Sequence, residues 1–234
     1  KKIILGLNEF EKLRYGENPH QNGAIYTTSK NLGLEKLNGK QLSYNNYADI
    51  FSALQISKSF PNNKGTVIVK HGNPCGASIH KNNNESFLMA HKCDPISSFG
   101  GIVSCNFKIN RSLALKLNKL FFEVIIGNDF EKDALSILKT KKNVRIIKSK
   151  NYEIFSKNNL ISNMHFALAQ TPDDKKFTIS DFKIVSKARP SRKTFENLIF
   201  AFNVCRFVKS NAIVLTNEKS TVGIGSGQPS RLDS

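Results

Sequence analysis

The stretch TVIVKHGNPCG, residues 66–76, decides the fold of this chain. Residues 66–69 are rich in β-branched side chains, which predicts a buried strand. Lys70 and His71 follow it directly. Since α/β sheets bind ligands beyond the carboxyl ends of their strands, we expect both side chains at the rim of a pocket. The alternative is a turn after a core strand, with Lys70 in solvent and His71 hydrogen-bonded, because Gly-Asn-Pro is common turn chemistry.

Strand and helix patterns alternate on both sides of this stretch. Strands are predicted at residues 24–28, 66–69, 102–105, 124–126, 144–147, 165–170 and 182–186, and helices at 48–60, 85–92, 111–122, 130–139 and 192–208. Asn45 or Asn46 is expected to cap the first helix. Residues 209–216 and 221–231 predict a hairpin. Alternation of this kind is typical of βαβ units, so we expect an α/β fold with a largely parallel sheet.

The charge balance favours an anionic partner. The 234 residues carry a formal net charge of +17, which suits nucleic acid or a phosphate-bearing small molecule. The lysines are spread along the chain, without zinc-finger spacing, an RNA-binding aromatic motif or a basic heptad. We therefore expect no nucleic-acid partner and keep a basic polyanion-binding domain as the alternative function. The absence of a run of about 18 apolar residues predicts no membrane partner.

The cysteines indicate a reducing compartment. Cys75, Cys93, Cys105 and Cys205 form no CxxC pair, which argues against a structural metal site. Because the N-terminal residues also lack the pattern of a secretion signal, we expect reduced thiols in a cytoplasmic protein.

A second polar segment, LRYGENPHQ at residues 13–21, is a candidate binding loop. Arg14 offers a planar fork for phosphate or carboxylate, and Tyr15 offers a ring for stacking. This pair suits a phosphorylated aromatic ligand. An exposed linker with Arg14 in solvent is the alternative.

Several motifs occur in a fixed order over nearly the whole chain: LRYGENPHQ, LSYNN, KHGNPCG, DPISSFGGIV, FFEVII, KSNAIV and GIGSGQPSRLDS. In this order they resemble the transformylase part of the AICAR transformylase/IMP cyclohydrolase family of purine biosynthesis. The resemblance implies that the cyclohydrolase domain of the family is absent and that a complete transformylase module continues past Ser234. A catalytically silent fragment that binds AICAR is therefore a further alternative.

The resemblance implies transfer of a formyl group from 10-formyltetrahydrofolate, the co-substrate, to the 5-amino group of AICAR, giving FAICAR. That amine is a poor nucleophile, so the reaction needs a base. His71 matches the family histidine that takes the amine proton, a role that requires a neutral imidazole. Lys70 would disfavour the imidazolium and donate to the formyl oxygen or the leaving nitrogen. Asn211 matches the family asparagine at the developing oxyanion.

The remaining site residues are carried over by position. Those that fall on AICAR-contacting positions are Arg14, Tyr15, Asn46, Gly100 and Glu123, with the Glu123 carboxylate expected on ribose hydroxyls. Those that fall near the folate are Ile96, Phe99, Gln228 and Arg231.

The family fold is similar to that of cytidine deaminase, a three-layer mixed sheet with helices that occurs twice in the module. The resemblance thus implies one complete unit at residues 1–190 and the truncated start of a second at 191–234. A zinc deaminase needs HxE followed by PCxxC. Pro74 and Cys75 begin that pattern, but Ser78 stands where the second cysteine belongs, so we expect no zinc. The resemblance also implies a homodimer with a shared active site.

Overall fold

The fold is built on a large mixed sheet with helices on both faces. A computed structural model describes residues 4–150, 152, 159–162 and 165–234. In chain order the described strands are β1 (Asn8–Leu13), β2 (Gly23–Thr27), β3 (Glu35–Asn38), β4 (Gly65–Lys70), β5 (Asn73–Ile79), β6 (Ile102–Ile109), β7 (Val124–Phe130), β8 (Arg145–Lys148), β9 (Asn159–Ser162), β10 (Ala167–Gln170), β11 (Ile213–Asn217) and β12 (Ser220–Gly225). The described helices are α1 (Tyr44–Ser59), α2 (Asn83–Cys93), α3 (Pro95–Ser98), α4 (Arg111–Asn118), α5 (Lys132–Lys139) and α6 (Arg192–Cys205), with a 3-10 turn at Ile179–Asp181.

The main sheet is mixed, with the strand order β11-β12-β5-β4-β6-β7-β8-β3. Among its described strands, β6, β7 and β8 run parallel, whereas the other neighbours pair antiparallel. The predicted α/β class is confirmed, but the prediction of a largely parallel sheet is wrong. The stretch after β4 is the reason: it turns back at once as β5, and a tight hairpin always gives an antiparallel pair.

The hairpin between β4 and β5 has a two-residue turn, because Lys70 pairs with Asn73. Its central residues, His71 and Gly72, have φ values of 53° and 73°. Positive φ at both positions matches the right-handed twist of the strands, and the usual first residue is Asn, Asp or Gly. A histidine in this left-handed region costs about 1–2 kcal/mol. Local turn chemistry therefore does not explain His71.

Alternation along β4 divides the core into two layers. Val67 and Val69 face one apolar cluster with α1 and α6, whereas Ile68 faces a second cluster with α2, α4 and α5. Val67, Ile68 and Val69 are fully buried. Strand side chains point alternately to opposite faces, so β4 is covered by helices on both sides. This makes β4 a rigid base for the turn that follows it.

Other sequence predictions need correction. No asparagine caps α1: Ser43 accepts from the Asn46 amide at 3.1 Å, and the Asn46 side chain accepts in return from the Ser43 amide at 3.2 Å. This capping box starts the helix at Tyr44. The strand predicted at residues 182–186 is not formed. Those residues follow a 3-10 turn, where Phe182 packs against Phe177 and Phe202 instead of pairing in a sheet.

Five described strands and helices were not predicted from the sequence: β1, β3, β5, β9 and α3. The other predicted strands and helices are formed, with different ends. The predicted hairpin after α6 is confirmed as β11 and β12, and it extends the main sheet through the pairing of Ser220 with Ser78. The helix predicted at 111–122 ends at Asn118. In the part of the chain that the structure describes, no helix has the length and apolar character needed to cross a bilayer.

A buried asparagine fixes the end of α1 to the sheet. Asn106, on β6, is 3% exposed. Its Oδ1 accepts from the amides of Lys64 and Gly65 at 3.0 and 2.8 Å. Its Nδ2 donates to the carbonyls of Ser57 and Pro61 at 2.9 and 3.0 Å. Side-chain bonds thus hold the α1–β4 connection in place of backbone pairing.

We predict that Asn106→Ala lowers the free energy of unfolding by about 2–4 kcal/mol, because several buried amides and carbonyls lose their partner. Urea denaturation measures this loss. Asn143→Ala, at an exposed loop position, is the matched control and should change the free energy by less than about 0.5 kcal/mol. A loss below about 1 kcal/mol for Asn106→Ala would contradict this role.

Candidate active site

A cleft of about 670 Å³ opens where β4 ends. It is lined by Arg14, Tyr15, Lys40, Gln41, Leu42, Ser43, Asn45, Asn46, Asp49, Lys70, His71, Gly100, Ile102, Glu123 and Arg145. The structure therefore brings together the predicted base and lysine with every residue that was predicted to contact AICAR. These groups come from separate parts of the sequence, which local patterns alone do not connect.

The cleft lies beyond the carboxyl end of β4, as expected, but at the opposite end from the one that the α/β rule gives for the parallel strands β6, β7 and β8. It opens at the carboxyl end of β4 and at the amino ends of β6, β7 and β8, because β4 runs antiparallel to β6. Backbone bonds continue the ladder there: Glu123 N donates to Gly101 O at 3.0 Å, and Arg145 N donates to Glu123 O at 3.1 Å. The ladder thus sets the spacing of Glu123 and Arg145.

Glu123 is held from two sides. Asn46 Nδ2 donates to Glu123 Oε2 at 2.9 Å, and Arg145 Nη1 lies 3.7 Å from the same oxygen. Arg145 also donates to the Gln41 carbonyl at 3.1 Å. The Glu123 side chain keeps 43% of its exposure, so the carboxylate remains open to the cleft. A fixed, half-exposed carboxylate can accept from vicinal hydroxyls.

Arg14 and Tyr15 form a compact pair on the loop between β1 and β2. Arg14 Nη2 donates to the Tyr15 hydroxyl at 3.0 Å, and the guanidinium carbon lies 4.7 Å from the centre of the Tyr15 ring. Arg14 is exposed, so its other N–H donors are available for an anion. Arg14 is exposed as the linker alternative expects, and its place in the cleft lining beside Tyr15 is what favours a binding loop.

Lys70 and His71 take different directions from the end of β4. Lys70 Nζ donates to the Phe99 carbonyl at 2.8 Å, which directs the ammonium toward α3. His71 is exposed at the turn and lines the cleft. Asp49 of α1 accepts from the backbone amides of His71 and Gly72 at 3.2 and 2.6 Å. The turn is therefore fixed to α1 by a carboxylate.

An exposed apolar surface lies next to Lys70. Ile96 and Phe99 are 88% and 64% exposed, and Phe99 packs on Phe121 with ring centres 5.1 Å apart. Gly100 has a φ of 74°, which favours glycine, and its amide bonds to the Phe121 carbonyl. Such a surface suits a flat aromatic ligand. The folate roles of Ile96 and Phe99 stay predictions.

Asn211, Gln228 and Arg231 do not line the cleft. Asn211 Nδ2 donates to the carbonyls of Gln228 and Pro229, each at 3.0 Å, so both of its N–H donors are engaged. An oxyanion would have to displace one of these bonds. Gln228 is half-buried and Arg231 is exposed. The roles of all three stay predictions.

The segment that carries Asn211 nevertheless approaches the turn. Lys209 N donates to Asn73 Oδ1 at 3.1 Å. A Cβ added at Gly72 would lie 3.6 Å from Lys209 Nζ. A second ammonium therefore stands beside the His71–Gly72 turn, where the same Cβ would also lie 3.9 Å from Ser52 Oγ of α1.

The residues that begin the zinc-deaminase pattern are not arranged as metal ligands. Burial, followed by the charge of Asp94, raises the pKa of the Cys75 thiol to about 11. The thiol is then protonated at neutral pH. Hydrogen bonds from Ser97 keep the pKa of Asp94 below its ordinary value. Within the described ranges, no group of three or more His, Cys, Asp or Glu side chains could hold a metal ion.

A larger cleft of about 930 Å³ lies at the other end of β4, and none of the predicted site residues lines it. Its charged lining consists of Lys58, Lys64, Lys81, Lys176, Lys193, Arg206 and Lys219 with Glu196 and Glu218. Three of these seven cations pair with carboxylates: Lys193 and Lys219 with the two glutamates, and Arg206 with Asp173. Lys58 donates instead to Asn128 Oδ1 at 2.8 Å. The larger cleft is therefore not the one that contains the predicted catalytic and binding residues.

Sequence reasoning missed Asp49, Arg145 and Lys209. Asp49 and Arg145 stand inside element patterns, where charged residues normally face solvent, so no local signal separates them from surface charges. A sequence signal for Lys209 was present: Lys209 and Asn211 follow a predicted helix, just as Lys70 and Asn73 follow a predicted strand.

Comparison with known proteins identifies the family of the chain. The family model described as "AICARFT/IMPCHase bienzyme" matches residues 1–234. Proteins named bifunctional purine biosynthesis protein PurH are similar to the chain at 40% identity in Caldicellulosiruptor saccharolyticus, 38% in Aquifex aeolicus and 42% in Leptospira biflexa. These matches cover 98%, 100% and 100% of the chain, respectively.

In each case the match covers 46% of the relative, so the chain spans about half the length of these proteins. The family model extends over every residue of the chain, including all the residues that line the cleft. The chain belongs to the AICARFT/IMPCHase bienzyme family.

Proposed function

We propose that the cleft at the end of β4 binds AICAR and that this chain carries part of the site for formyl transfer from 10-formyltetrahydrofolate. The observation that supports this most strongly is the convergence of Lys70, His71, Arg14 and Glu123 on one cleft in a member of this family. The relatives' printed name, a bifunctional purine biosynthesis protein, agrees with a purine intermediate as substrate.

The proposed reaction follows from the chemistry of the groups in the cleft. The 5-amino nitrogen of AICAR attacks the formyl carbon, and the new C–N bond forms as His71 removes the amine proton. The bond between the formyl carbon and the folate nitrogen then breaks, and that nitrogen takes up one proton in exchange for the proton that His71 removed from the amine. Lys70 donates to that leaving nitrogen or to the formyl oxygen. FAICAR and tetrahydrofolate are the products, and Asn211 is proposed to support the oxyanion after exchanging one of its present bonds.

The nucleotide orientation follows from the charges. The Arg14 guanidinium suits the phosphate, since a planar fork binds it bidentately, and the Tyr15 ring supports the guanidinium. Glu123 suits the ribose hydroxyls, because Asn46 and Arg145 fix its carboxylate. The imidazole base then lies toward Lys70 and His71, with Gly100 leaving room for close approach.

The folate is proposed to lie on the opposite side of Lys70. Ile96 and Phe99 would cover its pterin ring, and Phe121 extends the same exposed aromatic surface. Gln228 and Arg231 are proposed for the polar glutamate tail. The Lys70 ammonium would then stand between the two substrates, where its present bond to the Phe99 carbonyl directs it.

For the fold, we propose the finer assignment to a cytidine-deaminase-like unit at residues 1–190, followed by the start of a second unit at 191–234. The mixed sheet with helices on both faces supports the deaminase-like layers, and β11 and β12 of residues 191–234 extend that same sheet. We further propose that the protein uses no zinc and acts as a homodimer with a shared site. The exposed surface around Ile96 and Phe99 supports a site that another polypeptide segment completes.

We predict that His71→Asn and Lys70→Met each lower kcat for formyl transfer by about 10²–10⁴-fold, measured on the natural gene product with AICAR and 10-formyltetrahydrofolate. Asparagine tolerates the left-handed backbone of residue 71, and methionine keeps most of the Lys70 stem, so both variants should fold. Lys132→Met, at an exposed helix position, is the control. Near-full activity in both site variants would refute the proposed proton transfer.

We predict that Arg14→Lys weakens AICAR binding about tenfold but leaves binding of the riboside without phosphate nearly unchanged, since lysine keeps the charge and loses the bidentate fork. Isothermal titration calorimetry with both ligands measures the difference. Arg189→Lys, at an exposed position, serves as the control. An equal loss for nucleotide and riboside would show that Arg14 does not contact the phosphate.

The second candidate function is polyanion binding at the larger cleft. The excess of cations in its lining favours this function, and Lys64, Lys81 and Lys176 line it without taking part in the ion pairs described above. Against it, the other cations of the cleft are paired mainly with carboxylates within the chain. We therefore favour formyl transfer.

Salt dependence separates the two candidates. A protein that contacts many phosphates loses about 10³–10⁵ in nucleic-acid affinity between 50 and 200 mM salt. We predict instead that AICAR affinity changes by less than about threefold over that range, since one phosphate is bound. Binding of single-stranded DNA with a steep salt slope, abolished in Lys64→Glu/Lys81→Glu, would favour polyanion binding.

A further inference from the structure

We propose that Asp49 is a positioning residue, which holds the His71–Gly72 turn in its left-handed conformation and thereby directs His71 into the cleft. This inference deepens the proposed function and rests on it. Asp49 is not among the residues that sequence comparison suggested for the site, and it is placed there by geometry alone.

The contact is a two-point clamp. Asp49 Oδ2 accepts from the His71 amide at 3.2 Å, and Asp49 Oδ1 accepts from the Gly72 amide at 2.6 Å. Successive amides in a left-handed turn point the same way and form a concave donor pair that binds an anion. Each oxygen of the carboxylate thus receives one amide. Hydrogen bonds to an ionised acceptor are about twice as strong as neutral ones.

The clamp maintains a left-handed backbone conformation at His71, which residues with a Cβ adopt at a cost. His71 has a φ of 53°, and in the left-handed region Asn, Asp and Gly are the residues that turns normally use. A side chain that conflicts with local turn chemistry is expected at a functional position, where other contacts must maintain the strained backbone. Asp49 supplies those contacts from a different element.

The clamp also links both ends of the cleft through α1. Asn46 and Asp49 are three residues apart on α1, so their side chains lie on the same face of the helix. Asn46 donates to Glu123 at the proposed ribose end, whereas Asp49 holds the turn at the base end. Both residues belong to the same regular helix, so α1 sets a fixed distance between these two contacts. The helix therefore aligns the nucleotide with His71.

A double-mutant cycle on the natural gene product tests the positioning role. We expect Asp49→Ala to lower kcat about 10–100-fold, since a misplacement of about 1 Å can cost that much, while Kd for AICAR changes less than about threefold. In a His71→Asn background, the same change should lower kcat by less than about threefold, because the positioned group is already gone. Asp174→Ala, at an exposed position, should retain full kcat.

Two outcomes would overturn the proposal: an unchanged kcat in Asp49→Ala, or the same loss of kcat with and without His71. Asp49→Asn is the second variant, in case Asp49→Ala fails to fold, because the asparagine oxygen can still accept one hydrogen bond from the turn. We expect it to lose kcat less than Asp49→Ala does.

Amide hydrogen exchange provides a readout that does not depend on activity. We expect the His71 and Gly72 amides to exchange at least about tenfold faster in Asp49→Ala and Asp49→Asn than in the wild type, with the β4 amides unchanged. Unchanged protection would refute the clamp. If the wild-type protein transfers no formyl group, the proposed function fails, whereas the exchange result still decides whether Asp49 holds the turn.

Discussion

The bonds from the His71 and Gly72 amides to the Asp49 carboxylate are the interaction on which the site depends. They join the turn after β4, a strand whose residues 67–69 are fully buried, to the helix that packs on one face of the sheet. A strand covered on both faces can move little, and a helix capped at its start has a fixed position. The exposed imidazole of His71 is therefore presented from a rigid support, although it stands on a turn.

The rest of the cleft follows from the sheet. Backbone hydrogen bonds at the amino ends of the parallel strands β6, β7 and β8 place Gly101, Glu123 and Arg145 side by side. Three segments that are separate in sequence thus meet at the same end of the sheet. Backbone hydrogen bonds determine the spacing between them. The loop between β1 and β2 contributes Arg14 and Tyr15, which contact each other.

Sequence reasoning found most of these residues but could not assemble them. Branching at Cβ correctly predicted β4, and the charged or polar residues at its end correctly indicated a cleft. The same glycine and proline signals concealed β5, because Pro74 enters that strand at an irregularity in its register with β4, where proline is tolerated. Asp49 looked like an ordinary polar position of a helix. Its role depends on a contact between residues far apart in sequence, which periodicity does not contain.

In the proposed site, the cleft at the end of β4, with His71 at its rim, holds the reacting amine. A crystal structure of the natural gene product with AICAR tests this arrangement most directly. We expect the 5-amino nitrogen within about 3 Å of an imidazole nitrogen of His71, with the phosphate at Arg14. AICAR bound in the larger cleft at the opposite end of β4, or bound with its amine turned away from His71, would show that His71 is not the base.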